Sequence, residues 1–194
     1  MEVMKTETRT RTINTQFRAA DENGVKRIEG YFVVFGDVYE MGPGVFETVD
    51  RNAFNDLEGK DIRCLIDHIP HLVLGRTTAN TFSLRVDDKG VFGSVIINEN
   101  DTDAMNHYAR CLRGDVSQAS FGFNDFDETS EVRSDGSVLF TLTRVNPLEF
   151  SSVTFPAYSK TELAARHKDA EAVKAKAAEA LKKTLKERIE NAWH

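Results

Sequence analysis

The sequence has little cysteine, no long apolar run and no excess of positive charge, and each absence excludes something. Only Cys64 and Cys111 occur in 194 residues, each inside an apolar-periodic segment, so they read as reduced core thiols and not as a disulfide framework. A single bond between the two stays open at this level. No apolar stretch approaches a membrane span, and Met1-Glu2-Val3-Met4-Lys5 lacks the apolar core of a signal peptide. A net charge of −6 argues against a general nucleic-acid binder. What remains is the composition of a soluble globular chain, 40% hydrophobic and 29% charged, long enough to bury a core without metal or disulfides.

The chain divides by texture. Residues 1–25 are polar and rich in Thr and Arg, with a turn-like Asp21-Glu22-Asn23-Gly24. The alternation from Thr8 to Asn14 suits a leading edge strand or an arm. Residues 26–162 hold many short strands: Lys26 to Gly36, Val45 to Val49, Asp61 to His68, a hairpin of Thr81–Val86 with Val91–Ile97, then Val116–Phe123, Val138–Thr143 and Pro147–Phe155. Two short helices interrupt them. One runs from Arg51 to Leu57 behind Asp50, the other from about Asp103 to Leu112, capped by Asp101 or Thr102 and stopped by Gly114. In the second, Ala104, Tyr108, Cys111 and Leu112 recur at helical spacing. The pattern predicts a mainly β (α+β) fold, an antiparallel sheet rolled toward a β-barrel.

Residues 163–194 are different material. Ala, Lys and Glu dominate, Gly and Pro are absent, and eight basic side chains face five acidic ones, so this tail is basic and the remainder acidic. Val173, Ala177, Leu181, Leu185, Ile189 and Trp193 recur every four residues, which draws a slowly winding apolar stripe on one long C-terminal helix. Such a helix lies on the body or on a second subunit, or serves as an arm for an acidic partner.

Three stretches carry chemistry-bearing residues. In Asp61-Ile62-Arg63-Cys64-Leu65-Ile66-Asp67-His68, alternation sets His68 on the Ile62, Cys64 and Ile66 face at the strand's end, before Pro70. A histidine there either packs or serves as a general base. In Val116-Ser117-Gln118-Ala119-Ser120-Phe121-Gly122-Phe123, Ser120 shares a face with Gly122, whose missing side chain leaves room for a substrate backbone, while Ser117 falls on the other face. In the third, Leu148 to Tyr158, Glu149 is a lone acid beside an apolar strand, either a histidine-orienting carboxylate or a solubilising edge charge. Cys64 is about 13 Å along the strand from His68, too far for a Cys–His pair. Asp67, His68 and His71 cluster without a fourth ligand or a metal-site spacing.

Taken together, Asp67-His68 with Leu74-Gly75-Arg76, Ala119-Ser120-Phe121-Gly122-Phe123, and Leu148-Glu149 leading to Val153-Thr154-Phe155-Pro156-Ala157-Tyr158 resemble the prohead (capsid maturation) protease family of tailed phages. Gly30-Tyr31-Phe32-Val33-Val34-Phe35-Gly36 and Pro43-Gly44-Val45-Phe46 fit the same pattern, and the match runs from about Ile28 to Thr161. The resemblance implies a serine endopeptidase related to herpesvirus assemblins, with an assemblin-like antiparallel β-barrel flanked by helices. It maps the family's histidine and serine onto His68 and Ser120. The third member varies across the wider clan; Glu149 is the first choice here, with Asp67 and His71 behind it. An arginine-bearing oxyanion loop would correspond to Gly75-Arg76. The implied partners are the major capsid protein with its scaffolding segment and the protease itself, with a homodimer allowed. Neither a cofactor nor a metal is implied, and neither nucleic acid nor membrane. The implied place is the host cytoplasm, inside the assembling prohead. A capsid-associated module of the same fold without activity is the alternative.

Overall fold

The computed structural model describes residues 9–13, 18–155 and 160–192. In chain order the elements are β1 (Arg9–Ile13), β2 (Arg18–Glu22), β3 (Val25–Val34), β4 (Tyr39–Gly42), β5 (Val45–Val49), β6 (Arg63–Ile66), β7 (Val73–Arg76), a 3-10 turn (Thr77–Ala79), β8 (Phe82–Val86) and β9 (Gly90–Ile96). They continue with α1 (Thr102–Arg113), β10 (Gln118–Val132), β11 (Val138–Val153) and α2 (Lys160–Ala192). Among the described residues the strands form two sheets, one of seven and one of four.

The spine of the larger sheet is β11. One edge pairs with β10 in a long antiparallel hairpin, and β1 pairs with β10 beyond it. The other edge serves two partners in succession, β5 along Val138–Leu142 and β6 along Glu149–Ser152, both parallel. The smaller sheet runs β2-β3-β9-β8, entirely antiparallel. Its first hairpin turns on Asn23 and Gly24, both at positive φ, as a two-residue hairpin loop requires.

The two sheets are not joined by a ladder, so the expected closed antiparallel barrel is corrected to two open sheets, one of them mixed. Alternation marks a strand and its faces but not its partner or direction. β5 and β6 reach β11 through long crossovers instead of hairpins, and such connections yield parallel neighbours. The expected helix from Arg51 to Leu57 is also absent. Asp50 does bond the Asn52 N–H through its side chain (2.8 Å), but the Ala53 carbonyl accepts from Val145 N–H (3.0 Å). Seven residues with a backbone group committed to a strand do not propagate a helix.

Between the sheets lies an aromatic core. Phe32 meets Phe82 and Phe150 edge-on at 5.6 and 5.5 Å, and Phe54 meets Phe121 at 5.4 Å. Phe121, Phe123 and Phe150 are completely buried, and each contributes about 1.5–3 kcal/mol relative to exposure. Because side chains alternate along a strand, anchoring Phe121 and Phe150 in this core sends Ser120, Gly122, Glu149 and Ser151 to the opposite face.

Helix α1 is capped by the Asp101 carboxylate, which accepts from the N–H groups of Asp103 (2.9 Å) and Ala104 (3.2 Å). Gly114, at φ 85°, ends it. Its buried face is Ala104, His107, Tyr108 and Cys111; Leu112, expected there, is exposed. In α2 the described contacts with the sheets are made between Arg166 and Val173. Arg166 is buried against Glu47 (2.6 Å) and Glu128 (2.7 Å) and lies over the Phe140 ring. Ala170 joins Met41, Val45, Val138 and Phe140, and Val173 packs beside them. Farther on, Leu181, Leu185 and Ile189 are exposed; Trp193 lies outside the described residues, as does the Pro156-Ala157-Tyr158 stretch. No helix among the described residues is long and apolar enough to cross a membrane.

Candidate active site

His68 is not on the β6 strand. That strand ends at Ile66, and the Ile69 N–H returns to the Ile66 carbonyl (2.9 Å) across Asp67 and His68, whose φ angles are 48° and 60°. Two consecutive left-handed residues make a tight turn of the primed kind, using the types that tolerate this region best after glycine and asparagine. Simple alternation would have sent His68 to the Cys64 and Ile66 face, which is core. The turn swings it over the opposite face, above β10 and β11.

There it meets the other two candidates. Registers place Ser120 opposite Ser151 and Gly122 opposite Glu149. His68 Nε2 is 2.7 Å from Ser120 Oγ, and His68 Nδ1 is 2.6 Å from Glu149 Oε1. The second carboxylate oxygen of Glu149 accepts from the Ser151 hydroxyl (2.5 Å), and Ser151 Oγ accepts the His68 backbone N–H (3.2 Å). The His68 and Glu149 side chains are 20% and 13% exposed, whereas Ser120 and Ser151 are fully buried. An imidazole bridging a hydroxyl and a carboxylate is the arrangement in which the hydroxyl loses its proton as it attacks a carbonyl.

Asp67 and His71, the other candidates for the third position, are elsewhere. The Asp67 carboxylate accepts from Thr154 N–H (2.6 Å) and Thr154 Oγ1 (3.0 Å), which pins the turn to the end of β11. His71 is exposed. The predicted oxyanion pair is not brought to Ser120. Gly75 faces inward, where a side chain would collide with Val95 and the Thr81 backbone, and Arg76 forms a two-pronged ion pair with Asp61 (2.6 Å each). That pair holds the Asp61 carboxyl well below its usual range. Gly122 does not open a path for substrate either: the Glu149 carboxylate fills the space beside it.

Both thiols are buried and free. Burial pushes Cys64 well up and Cys111 to about 11, so neither supplies a thiolate near neutrality. No group of three or more His, Cys, Asp or Glu side chains that could hold a metal occurs among the described residues. Two residues escaped the sequence reading. Ser151 stands two positions after Glu149 and so shares its face, a period-2 signal that was available. His107, fully buried on α1, gives no such signal.

A family model described as caudovirus prohead serine protease matches residues 13–176. The chain belongs to that family. Among solved structures, this chain is similar to the bacteriophage T4 capsid assembly protease, at 12% identity and a TM-score of 0.45, over 75% of this chain and 98% of that one. No curated protein matches.

Proposed function

We propose that this protein is the prohead maturation protease of a tailed phage, a serine endopeptidase that removes the scaffolding segment of the major capsid protein and processes itself. The observation that carries the reading is His68, hydrogen-bonded at once to Ser120 Oγ and to Glu149. Ser120 Oγ attacks the scissile carbonyl carbon while its proton passes to His68 Nε2. The carbonyl π pair moves to oxygen, and backbone N–H groups stabilise the resulting oxyanion. Collapse expels the amine, which takes the proton from His68 and leaves an acyl-serine ester. Water, deprotonated by the same imidazole, then hydrolyses the ester and restores the hydroxyl. Glu149 fixes the tautomer with Nδ1 protonated and stabilises the imidazolium in both halves.

The protein works in the host cytoplasm, inside the assembling prohead, where confinement with its substrate raises effective concentration. The basic distal part of α2 serves as an arm that delivers it there. One observation favours a rival reading, an inactive capsid-associated module: Ser120 has no exposed surface, so attack requires the cover over it to open. Co-expression with the cognate major capsid protein, wild type against Ser120→Ala, separates the two by intact mass. Loss of an N-terminal capsid segment with wild type alone supports the protease; no cleavage with either supports the module.

A further inference from the structure

The Glu149 carboxylate is held at both oxygens, and the second partner closes a ring. Glu149 Oε1 meets His68 Nδ1, Glu149 Oε2 accepts from Ser151 Oγ, and Ser151 Oγ accepts the backbone N–H of His68. Ser151 is fully buried and stands directly opposite Ser120 in the β10–β11 register. Its neighbour Ser152 points the other way, toward Cys111 in the core. We infer that Ser151 is a positioning residue of the site, locking the Glu149 carboxylate and the His68 backbone to one another through a single hydroxyl. The inference rests on the reading of Ser120, His68 and Glu149 given above.

Two physical consequences follow. The terminal torsion of a glutamate is broad, so a carboxylate bonded only to the imidazole swings, and a second donor stops it. Oε2 also shares its charge with the Ser151 hydroxyl. Without that donor the carboxylate charge is no longer shared, so its interaction with the imidazole changes and the pH dependence of the reaction changes with it. A serine that merely filled space would lower the folded fraction and slow the chemistry equally at every pH.

The test measures how fast a fluorophosphonate probe labels the full chain from pH 5 to 9, with thermal unfolding of each variant alongside. Ser151→Ala should label about 10- to 100-fold more slowly, with the acid limb of the profile displaced. In a Glu149→Ala background the same change should cost about twofold at most, because residues acting as a unit are not additive. An unchanged rate and limb overturn the inference. So does an equal loss in both backgrounds with the limb in place. Ser151→Cys keeps the volume and offers a weaker donor, so its limb should lie between the other two. If Ser151→Ala does not fold, a folded Ser151→Cys with an unmoved limb overturns the inference. Failure of the underlying reading looks different: wild type is not labelled, Ser120→Ala labels as well as wild type, or Glu149→Ala alone keeps the wild-type rate.

Discussion

The Glu149 carboxylate occupies the space that a side chain at Gly122 would need. The two residues are opposite one another in the β10–β11 ladder, and a Cβ on Gly122 would overlap Oε1 and crowd Cδ and Cγ. Glycine is therefore what lets the acid lie flat across β10 and reach the imidazole.

Gly122→Ala should consequently damage activity more than stability. The carboxylate end of a glutamate is flexible, but here it is tied to both His68 and Ser151. Displacing it by even 1 Å costs on the order of 100-fold in rate, while alanine itself suits a strand better than glycine does. Capsid-protein cleavage and the urea midpoint, measured together, check this. A variant with wild-type cleavage would mean that the carboxylate has room to spare.

Asp67 and Glu149 separate by the same logic. Asp67 holds the left-handed turn through Thr154, so Asp67→Ala loses two hydrogen bonds and a residue type tolerant of that backbone. A loss of about 1–3 kcal/mol in unfolding free energy is expected. Asp67→Asn keeps an acceptor and the backbone tolerance, and should stay within a few-fold of wild-type activity. Were Asp67 the acid behind the imidazole, the asparagine variant would fall by about four orders of magnitude.

Much of this was legible in the sequence, and the illegible parts share a cause. Asp101 and Gly114 mark both ends of α1 because each has a local job that its own chemistry reveals. Ser120 and Glu149 fall on one face because each alternates with a phenylalanine that the core demands. Alternation alone misplaces His68 because the turn that aims it uses Asp67 and His68 at positive φ, where a glycine or asparagine would announce the change of direction. The parallel pairing of β11 with β5 and β6 depends on how long crossovers fold back, which no local pattern encodes. Gly122 looks like open space in the sequence because the side chain that fills it comes from a strand 27 positions away in the chain.

A buried cation anchors the docked part of α2. Arg166 joins Glu47 and Glu128 with almost no exposed surface, and among the described side chains of the helix Ala170 and Val173 add a small apolar patch. Arg166→Ala strips the guanidinium from the buried Glu47 and should cost about 3–5 kcal/mol. Limited proteolysis should then cut within α2 before the sheets unfold. Equal protease resistance in variant and wild type would show that the apolar patch alone holds the helix.

His107 makes stability depend on pH. It is 1% exposed and its Nε2 has no hydrogen-bond partner. Burial lowers its pKa from 6.5 to about 4, the charge of Asp67 opposing the shift and that of Arg110 adding to it. A base with a depressed folded pKa is bound to more protons in the unfolded chain than in the folded one between those two values. The neutral group is thus fully compatible with folding above about pH 6.5, and stability falls as pH drops from there toward 4. The full shift corresponds to about 3 kcal/mol. His107→Gln removes this titration, so its urea midpoint should decline less steeply than that of wild type between pH 7 and 4.5. Because α1 packs beneath the end of β11, through Cys111 and Ser152, the same acidification should loosen the support of the His68 turn before global unfolding. Parallel curves for the two proteins would instead assign the acid sensitivity to the surface carboxylates.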